Sequence, residues 1–319
     1  MQLTVGEEID GMDLRRLMEV NTQPFQIKLL ILVLLTAAFV YLAWAAPGYL
    51  WVIPSIFLGL MYAHAVELQH QCLHKTAFRG KPWNRRVGIF LGLPLLVSYS
   101  DYQTSHMKHH KLLGTPEDKE FFNYGYEVLT SVRALIPHLF MVRHYRDVAG
   151  FIWQSIFGGL TRDANPRAIS RIRNEYRLMA VFLLAMLGVT IGFETTLFLK
   201  LWLVPLLIGV PTHALIELPE HIGCNVGIPD VLKNTRTIKA SRFGTWFTDG
   251  NNYHVEHHWL PGVPNDKFPE LHKYVVKNIE TLEISYWSFY KGFLHQLYNH
   301  TFGKTPEPEK AEKARSAGA

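Results

Sequence analysis

Residues 49–74 read YLWVIPSIFLGLMYAHAVELQHQCLH. The part ending at Val66 contains no Lys, Arg, Asp or Glu. As a helix rising 1.5 Å per residue it is about 27 Å long, close to the hydrocarbon thickness of a bilayer. His70 and His74 follow at once with i, i+4 spacing. If the helix continues, both rings stand on one face, about 6–12 Å beyond the apolar layer. This one stretch predicts a membrane span that ends in a pair of imidazoles.

The neighbouring sequence extends that reading. Residues 29–46 (LLILVLLTAAFVYLAWAA) are equally apolar, and Pro47 and Gly48 make a turn between the two stretches. Residues 178–199 and 201–218 form a second pair. The expected fold is an all-α integral membrane protein with four transmembrane helices in two hairpins. Charged residues make up only 18% of the 319-residue chain, below the roughly 25% usual in soluble domains. A cleaved signal is not expected at residues 29–46, because 28 residues precede them without a small-residue cleavage site before a soluble domain. Residues 87–99 are too short to span and are expected to be re-entrant, interfacial or packed against the spans. Residues 137–160 mix apolar and aromatic with charged residues, and residues 285–302 are aromatic with few charges; both suit either the headgroup layer or a cap on the cytosolic region. Residues 1–302 are read as a single membrane-embedded domain, and the polar tail 303–319 as disordered.

Lys and Arg set the orientation. The turns at Pro47 and near residues 192–195 carry none, with Lys200 just past the second. Arg15, Arg16 and Lys28 precede the first span; Lys75, Arg79, Lys81, Arg85 and Arg86 follow the second. Arg171, Arg173 and Arg177 precede the third; Lys233, Arg236, Lys239 and Arg242 follow the fourth. Both termini and the regions 67–177 and 219–319 are therefore expected in the cytoplasm. The net charge of +5 carries no nucleic-acid signature. Cys72 and Cys224 are expected to be reduced thiols.

The chain has 16 histidines, and half of them fall in three clusters. HQCLH holds His70 and His74; HMKHH holds His106, His109 and His110; HVEHH holds His254, His257 and His258. In a helix each HxxHH places its rings together. Rings held this close repel one another when protonated, whereas a divalent metal takes them neutral. After the fourth span, Glu217 and His221 repeat the i, i+4 spacing. All four groups fall on the cytoplasmic side and can converge beneath the membrane. Nine imidazoles exceed the needs of one ion, so two are expected. Zinc is the rival metal, but so large an imidazole shell without a bridging carboxylate pair suits redox-active iron better. His221 leaves the fourth span at the depth of His70 and His74, whereas His213 lies about 12 Å deeper by helical rise. His138, His144, His272, His295 and His300 stand alone and are read as surface or hydrogen-bonded residues. His64 lies inside the second span, where an ionisable group is expensive.

The order HxxxH, HxxHH, HxxHH resembles the membrane fatty-acid desaturase family. So do the flanks VELQHQCLHKTAFRGKPWNRRVGIFLGLPL, SDYQTSHMKHHKLLGTPEDKE and NNYHVEHHWLPGVPNDKFPELH, over roughly residues 50–275. The resemblance implies a non-haem di-iron centre with O2 as co-substrate. Its ligands would be His70, His74, His106, His109, His110, His254, His257 and His258, plus a ninth histidine before the last box. His221 fits that place best and His213 next. Acyl-CoA members of the family carry an asparagine four residues before that histidine; here Glu217 stands there. His64, Glu67, His213, Glu217 and Asn252 are expected around the ligands. The implied activity is an O2-dependent oxidoreductase that introduces a C=C bond into a long apolar chain. Alternatives are a lipid or carotenoid hydroxylase or ketolase, or a fatty acid decarboxylase forming a terminal alkene. A non-enzymatic membrane metal-binding or transport protein is the rival class, but it would place ligands along the spans. The sequence has neither a GxGxxG nucleotide loop nor a cysteine set for an iron–sulfur cluster. A separate ferredoxin or cytochrome electron donor is therefore expected, with the lipid bilayer and an acyl chain as the other partners.

Overall fold

A computed structural model describes residues 9–119, 121–122, 131–193 and 195–302. Helix α1 (Gly11–Met18) is followed by α2 (Thr22–Ala45), whose entry is fixed by Asn21 accepting the Gln23 N–H at 3.1 Å. The turn through Gly48, at φ +55°, leads to α3 (Val52–Leu73). The sequence expectation starts the first span at residue 29, but the helix begins about two turns earlier, at Thr22 after its cap. The second helix runs seven residues past Val66, so His70 lies within it and His74 caps it. Phe39 of α2 stacks on Phe57 of α3 with ring centroids 5.2 Å apart.

Helix α4 (Lys81–Gly92) and the 3₁₀ turn Leu93–Leu95 hold the apolar run too short to span. It packs on α3: Gln69 donates to the carbonyls of Gly88 and Val97 at 2.9 and 3.1 Å. Helix α5 (Tyr99–Leu112), capped by Ser98, carries the second histidine cluster. Helices α6 (Val132–Leu139) and α7 (Val142–Phe157) precede α8 (Pro166–Gly192). Here the expected span of 178–199 is displaced. Asn165 caps the helix with Pro166 at its first position, twelve residues before the apolar run, and it stops at Gly192. The polar front of α8 is used for docking. Glu175 accepts from Ser98 Oγ, the Ser100 N–H, Ser100 Oγ and Arg85, while Tyr176 donates to Asp101 at 2.6 Å.

The fourth apolar stretch opens as a π-helical turn, Leu199–Leu203, and continues as α9 (Val204–Glu217). Two carbonyls of this region are met from α3, by Ser55 Oγ on Lys200 and Tyr62 Oη on Leu201, both at 2.7 Å. Helices α3 and α9 touch backbone to backbone. A Cβ at Gly59 would lie 2.6 Å from the Pro205 carbonyl, and one at Gly209 would lie 2.8 Å from the Gly59 carbonyl. Small residues permit such an approach.

The remainder consists of α10 (Val231–Asn234), α11 (Arg242–Phe247), α12 (His254–Trp259), α13 (Phe268–Val275) and α14 (Tyr286–Phe302). Two short parallel strands, β1 (Arg236–Ile238) and β2 (Thr281–Glu283), pair with Thr237 opposite Leu282. They are a minor departure from an all-α architecture. Leu17 of α1 packs with Val263, Phe268 and Leu271, which brings the first helix against α13. Leu218 and Ile222 pack against Phe289, Phe293 and Leu297 of α14.

Four helices among the described residues are long and apolar enough to cross a membrane. Leu30, Val33 and Leu34 of α2, and Val181, Leu184 and Ile191 of α8, are exposed. Apolar side chains turned outward on long helices are what a hydrocarbon surround selects. Cys72 is buried, and both cysteines are free. The polar tail 303–319 lies outside the described residues.

Candidate metal centre

Three local regularities and one turn build the site. The end of α3 presents His70 and His74, α5 presents His106, His109 and His110, and α12 presents His254, His257 and His258. His221 lies in the turn just after α9. The structure brings all nine rings together. His106 Nε2 lies 2.8 Å from His70 Nε2, 2.9 Å from His74 Nε2, 2.9 Å from His110 Nε2 and 3.4 Å from His257 Nε2. A second group adjoins it: His254 Nε2 lies 3.2 Å from His221 Nε2 and 3.1 Å from His258 Nε2. The ring of His109 centres 5.0 Å from that of His221 and 4.9 Å from that of His258. His110 stands between the groups, with its Nε2 2.9 Å from His257 Nε2 and its ring stacked 4.2 Å from His258.

The outer nitrogens decide what the inner ones do. His221 Nδ1–H donates to the Asn234 carbonyl at 3.0 Å, and His109 Nδ1–H donates to the Asp118 carboxylate at 3.1 Å. His70 Nδ1–H donates to Asn251 Oδ1 at 2.9 Å. The Asn251 amide is oriented by its Nδ2, which donates to Glu67 Oε2 at 2.7 Å; a carboxylate only accepts. With the proton on Nδ1, each Nε2 turns a lone pair inward. Burial adds to this. It holds His74, His106, His110, His254, His257 and His258 well below the usual histidine range, and His221 is pushed down to about 3. Neutral imidazoles with converging lone pairs repel one another, and a cation among them turns that repulsion into coordination. The donor set fits a metal of the imidazole-binding kind, and its overlapping groups, centred on His106 and on His221, His254 and His258, have room for more than one ion.

The residues expected around the ligands fall differently. His213 donates from Nδ1 to Glu67 Oε1 at 2.8 Å, and its Nε2 lies 3.2 Å from Glu217 Oε1; it stands outside both groups. Glu217 therefore turns back to His213 rather than forward to His221, and it also accepts from Tyr102 Oη at 3.3 Å. His64 donates from Nδ1 to the Phe247 carbonyl at 2.7 Å and lies against Trp246. Asn252 bonds the Ile238 carbonyl and Thr248; its neighbour Asn251 is the one that reaches His70. Of the histidines read as lone, His272 donates from Nδ1 to Glu256, whose other oxygen accepts from Thr237 at 2.6 Å, so α12 is tied to β1 and α13. His144 lies among Phe121, Phe122 and Tyr145. Sequence reasoning missed Asp118, Asn251, the Asn234 carbonyl and Glu220. Asp118 stood nine residues from His109 inside a quoted flank, but nothing local marked it.

Comparison with known proteins adds an independent finding. The model of the fatty acid desaturase family matches residues 47–290. A sphingolipid delta(4)-desaturase of Xenopus tropicalis is 24% identical over 268 residues, covering 82% of this chain and 75% of that protein. A dihydrorhizobitoxine desaturase of Bradyrhizobium elkanii is 27% identical over 250 residues, covering 70% and 66%. A Delta(12) fatty acid desaturase of Mortierella isabellina is 39% identical over 74 residues, covering 23% and 17%.

Proposed function

Because the chain belongs to the fatty acid desaturase family, we propose that it is an O2-dependent di-iron enzyme that introduces a double bond into a long acyl chain held in the bilayer. The convergence of nine imidazole Nε2 atoms into two adjoining groups is the observation that carries this reading. His70, His74, His106 and His257 would hold one iron, and His109, His221, His254 and His258 the other, with His110 between them. When bound, such a pair supplies the oxidising power to remove two hydrogens from an unactivated carbon–carbon bond, with O2 and two external electrons as co-reactants.

The protein's own part is positioning and exclusion. Asn251, Asp118 and the Asn234 carbonyl fix three rings in the tautomer that turns Nε2 inward. The burial of the rings keeps bulk water from the reacting carbons. An apolar groove of about 500 Å³ between α2 and α4, lined by Leu29, Leu30, Val33, Phe78, Trp83 and Val87, has the character that would suit an acyl chain. In this reading the spans form two hairpins, and both termini and the metal site face the cytoplasm, because Lys and Arg crowd the chain segments that carry the histidines. Electrons come from a separate ferredoxin or cytochrome.

Purified protein is expected to carry about two irons per chain, and His257→Ala or His110→Ala to lower iron and abolish activity while the spans still insert. Full activity with zinc alone, or undiminished iron in His257→Ala, would overturn the proposal. Lipid profiling of a host expressing the chain separates outcomes: a new alkene supports desaturation, whereas an alcohol, a ketone or a terminal hydrocarbon identifies a related oxygenase.

A further inference from the structure

The end of α9 and the turn after it carry two acids and one histidine, Glu217, Glu220 and His221. Glu217 is engaged with His213 and Tyr102. Glu220 points the other way: its Oε2 lies 3.2 Å from His254 Nε2. The ligand atoms of Glu220, His221 and His254 all lie within 4.8 Å of one another. His254 Nε2 is also 3.2 Å from His221 Nε2 and 3.1 Å from His258 Nε2. His221 Nε2 is a lone pair, because the ring's proton is on Nδ1 and donated to Asn234. One proton on His254 Nε2 can serve only one of these three neighbours, whereas a cation beside it serves them all.

We propose that Glu220 is a metal ligand, and that the metal position formed with His109, His221, His254 and His258 is a mixed imidazole–carboxylate site, distinct from the all-imidazole position around His106. The proposal rests on the dimetal reading above. It also evens the donor count. Nine imidazoles divide unequally between two ions; with Glu220 each position receives five donors, His110 going with His70, His74, His106 and His257. The turn is built to hold this acid in place. The Arg236 backbone N–H donates to the Glu220 carbonyl at 2.9 Å, and Arg236 Nη1 donates to the carbonyls of Ile222, at 2.9 Å, and Pro219. The guanidinium lies over the Phe289 ring, 4.8 Å from its centroid, and is thereby fixed. A hard anionic oxygen on one ion and neutral nitrogens on the other make the two positions chemically unequal. The carboxylate side favours the higher-charged metal state.

The test is anaerobic Co(II) titration of the metal-stripped, detergent-purified full chain, read by its visible d–d absorption and by direct metal analysis. Wild type is expected to take about two equivalents with two distinguishable spectra. Glu220→Gln, nearly the same shape, should keep the first equivalent unchanged, bind the second at least tenfold more weakly, and lose one spectrum. Glu220→Asp should retain the second ion with a shifted spectrum, and His74→Ala should lose the other spectrum. Two equivalents of unaltered affinity and spectrum in Glu220→Gln, or a wild-type spectrum in Glu220→Asp, would reduce Glu220 to a hydrogen-bond partner of His254. If wild type itself bound no Co(II), the dimetal reading would fail, and Glu220 would lose its proposed role with it.

Discussion

Asn251 does two jobs with one amide: its oxygen takes the His70 proton and its nitrogen holds Glu67. Asn251→Ala leaves the His70 tautomer unfixed and a buried carboxylate short of a donor. It is expected to weaken metal binding by about 10–100-fold, measured by metal analysis after dialysis against a chelator. Asn251→Asp should fare as badly, because it sets a second carboxylate against Glu67. The rings themselves make a separate prediction. Folded pKa values below the unfolded value near 6.5 mean that the unfolded chain binds more protons as the pH falls. The stability of metal-free protein should therefore be full above pH 6.5 and drop below it, by up to about 1.4 kcal/mol per pH unit for each such ring. A Tm that stays flat from pH 7.5 to 5 would contradict this. Which rings share a face was legible in the sequence, because i, i+3 and i+4 are local spacings. Which atoms orient the rings was not. Asn251 meets His70 across 181 positions, and that Asn251 rather than the expected Asn252 lies around the ligands depends on the turn of the chain after α11.

Helices α3 and α9 meet through Gly59 and Gly209, where any side chain collides with the facing backbone. Gly59→Val should separate the two helices and cost about 1–3 kcal/mol, seen as a lower Tm and poor recovery from detergent. Gly150→Ala on α7, where an added methyl meets nothing, should behave as wild type. The turn after α9 has its own anchor. Arg236→Ala leaves carbonyls of that turn unpaired and should destabilise the protein by about 2–4 kcal/mol, with loss of metal from the His221 side. Arg236→Lys should recover only part of this, since an ammonium lacks the planar fork. Apolar run length made the four long helices legible. Their true ends were set elsewhere: Asn165 starts α8 among polar residues because Glu175 and Tyr176 dock on α5. The π-helical turn before α9 left no mark in hydropathy. It is matched by hydroxyls of Ser55 and Tyr62 that read as ordinary span residues.

At the scale of the molecule, the proposed two-hairpin arrangement makes a direct prediction. A reporter fused after Ala319 and one inserted at Gly48 should report opposite sides of the membrane, and agreement between them would break that topology. The arrangement also has a clasp. Lys28, at the start of α2, pairs with Asp249 at 2.5 Å, just before the last histidine cluster. Arg16 of α1 pairs with Glu270 of α13, and Tyr274 donates to Asp13 at 2.9 Å. Residues of α1 and α2 are thus held by partners more than 200 positions later in the chain. During synthesis α2 is complete while Lys28 still lacks its partner, and His70 and His74 precede the rings of α5 and α12 that join them. Closing so long a loop is slow. Under the proposed dimetal reading, metal capture must wait for the last histidine cluster, because His254, His257 and His258 complete both groups of rings. A nascent chain arrested before Val255 should integrate its spans yet fail to retain metal, as measured by metal analysis of the membrane fraction.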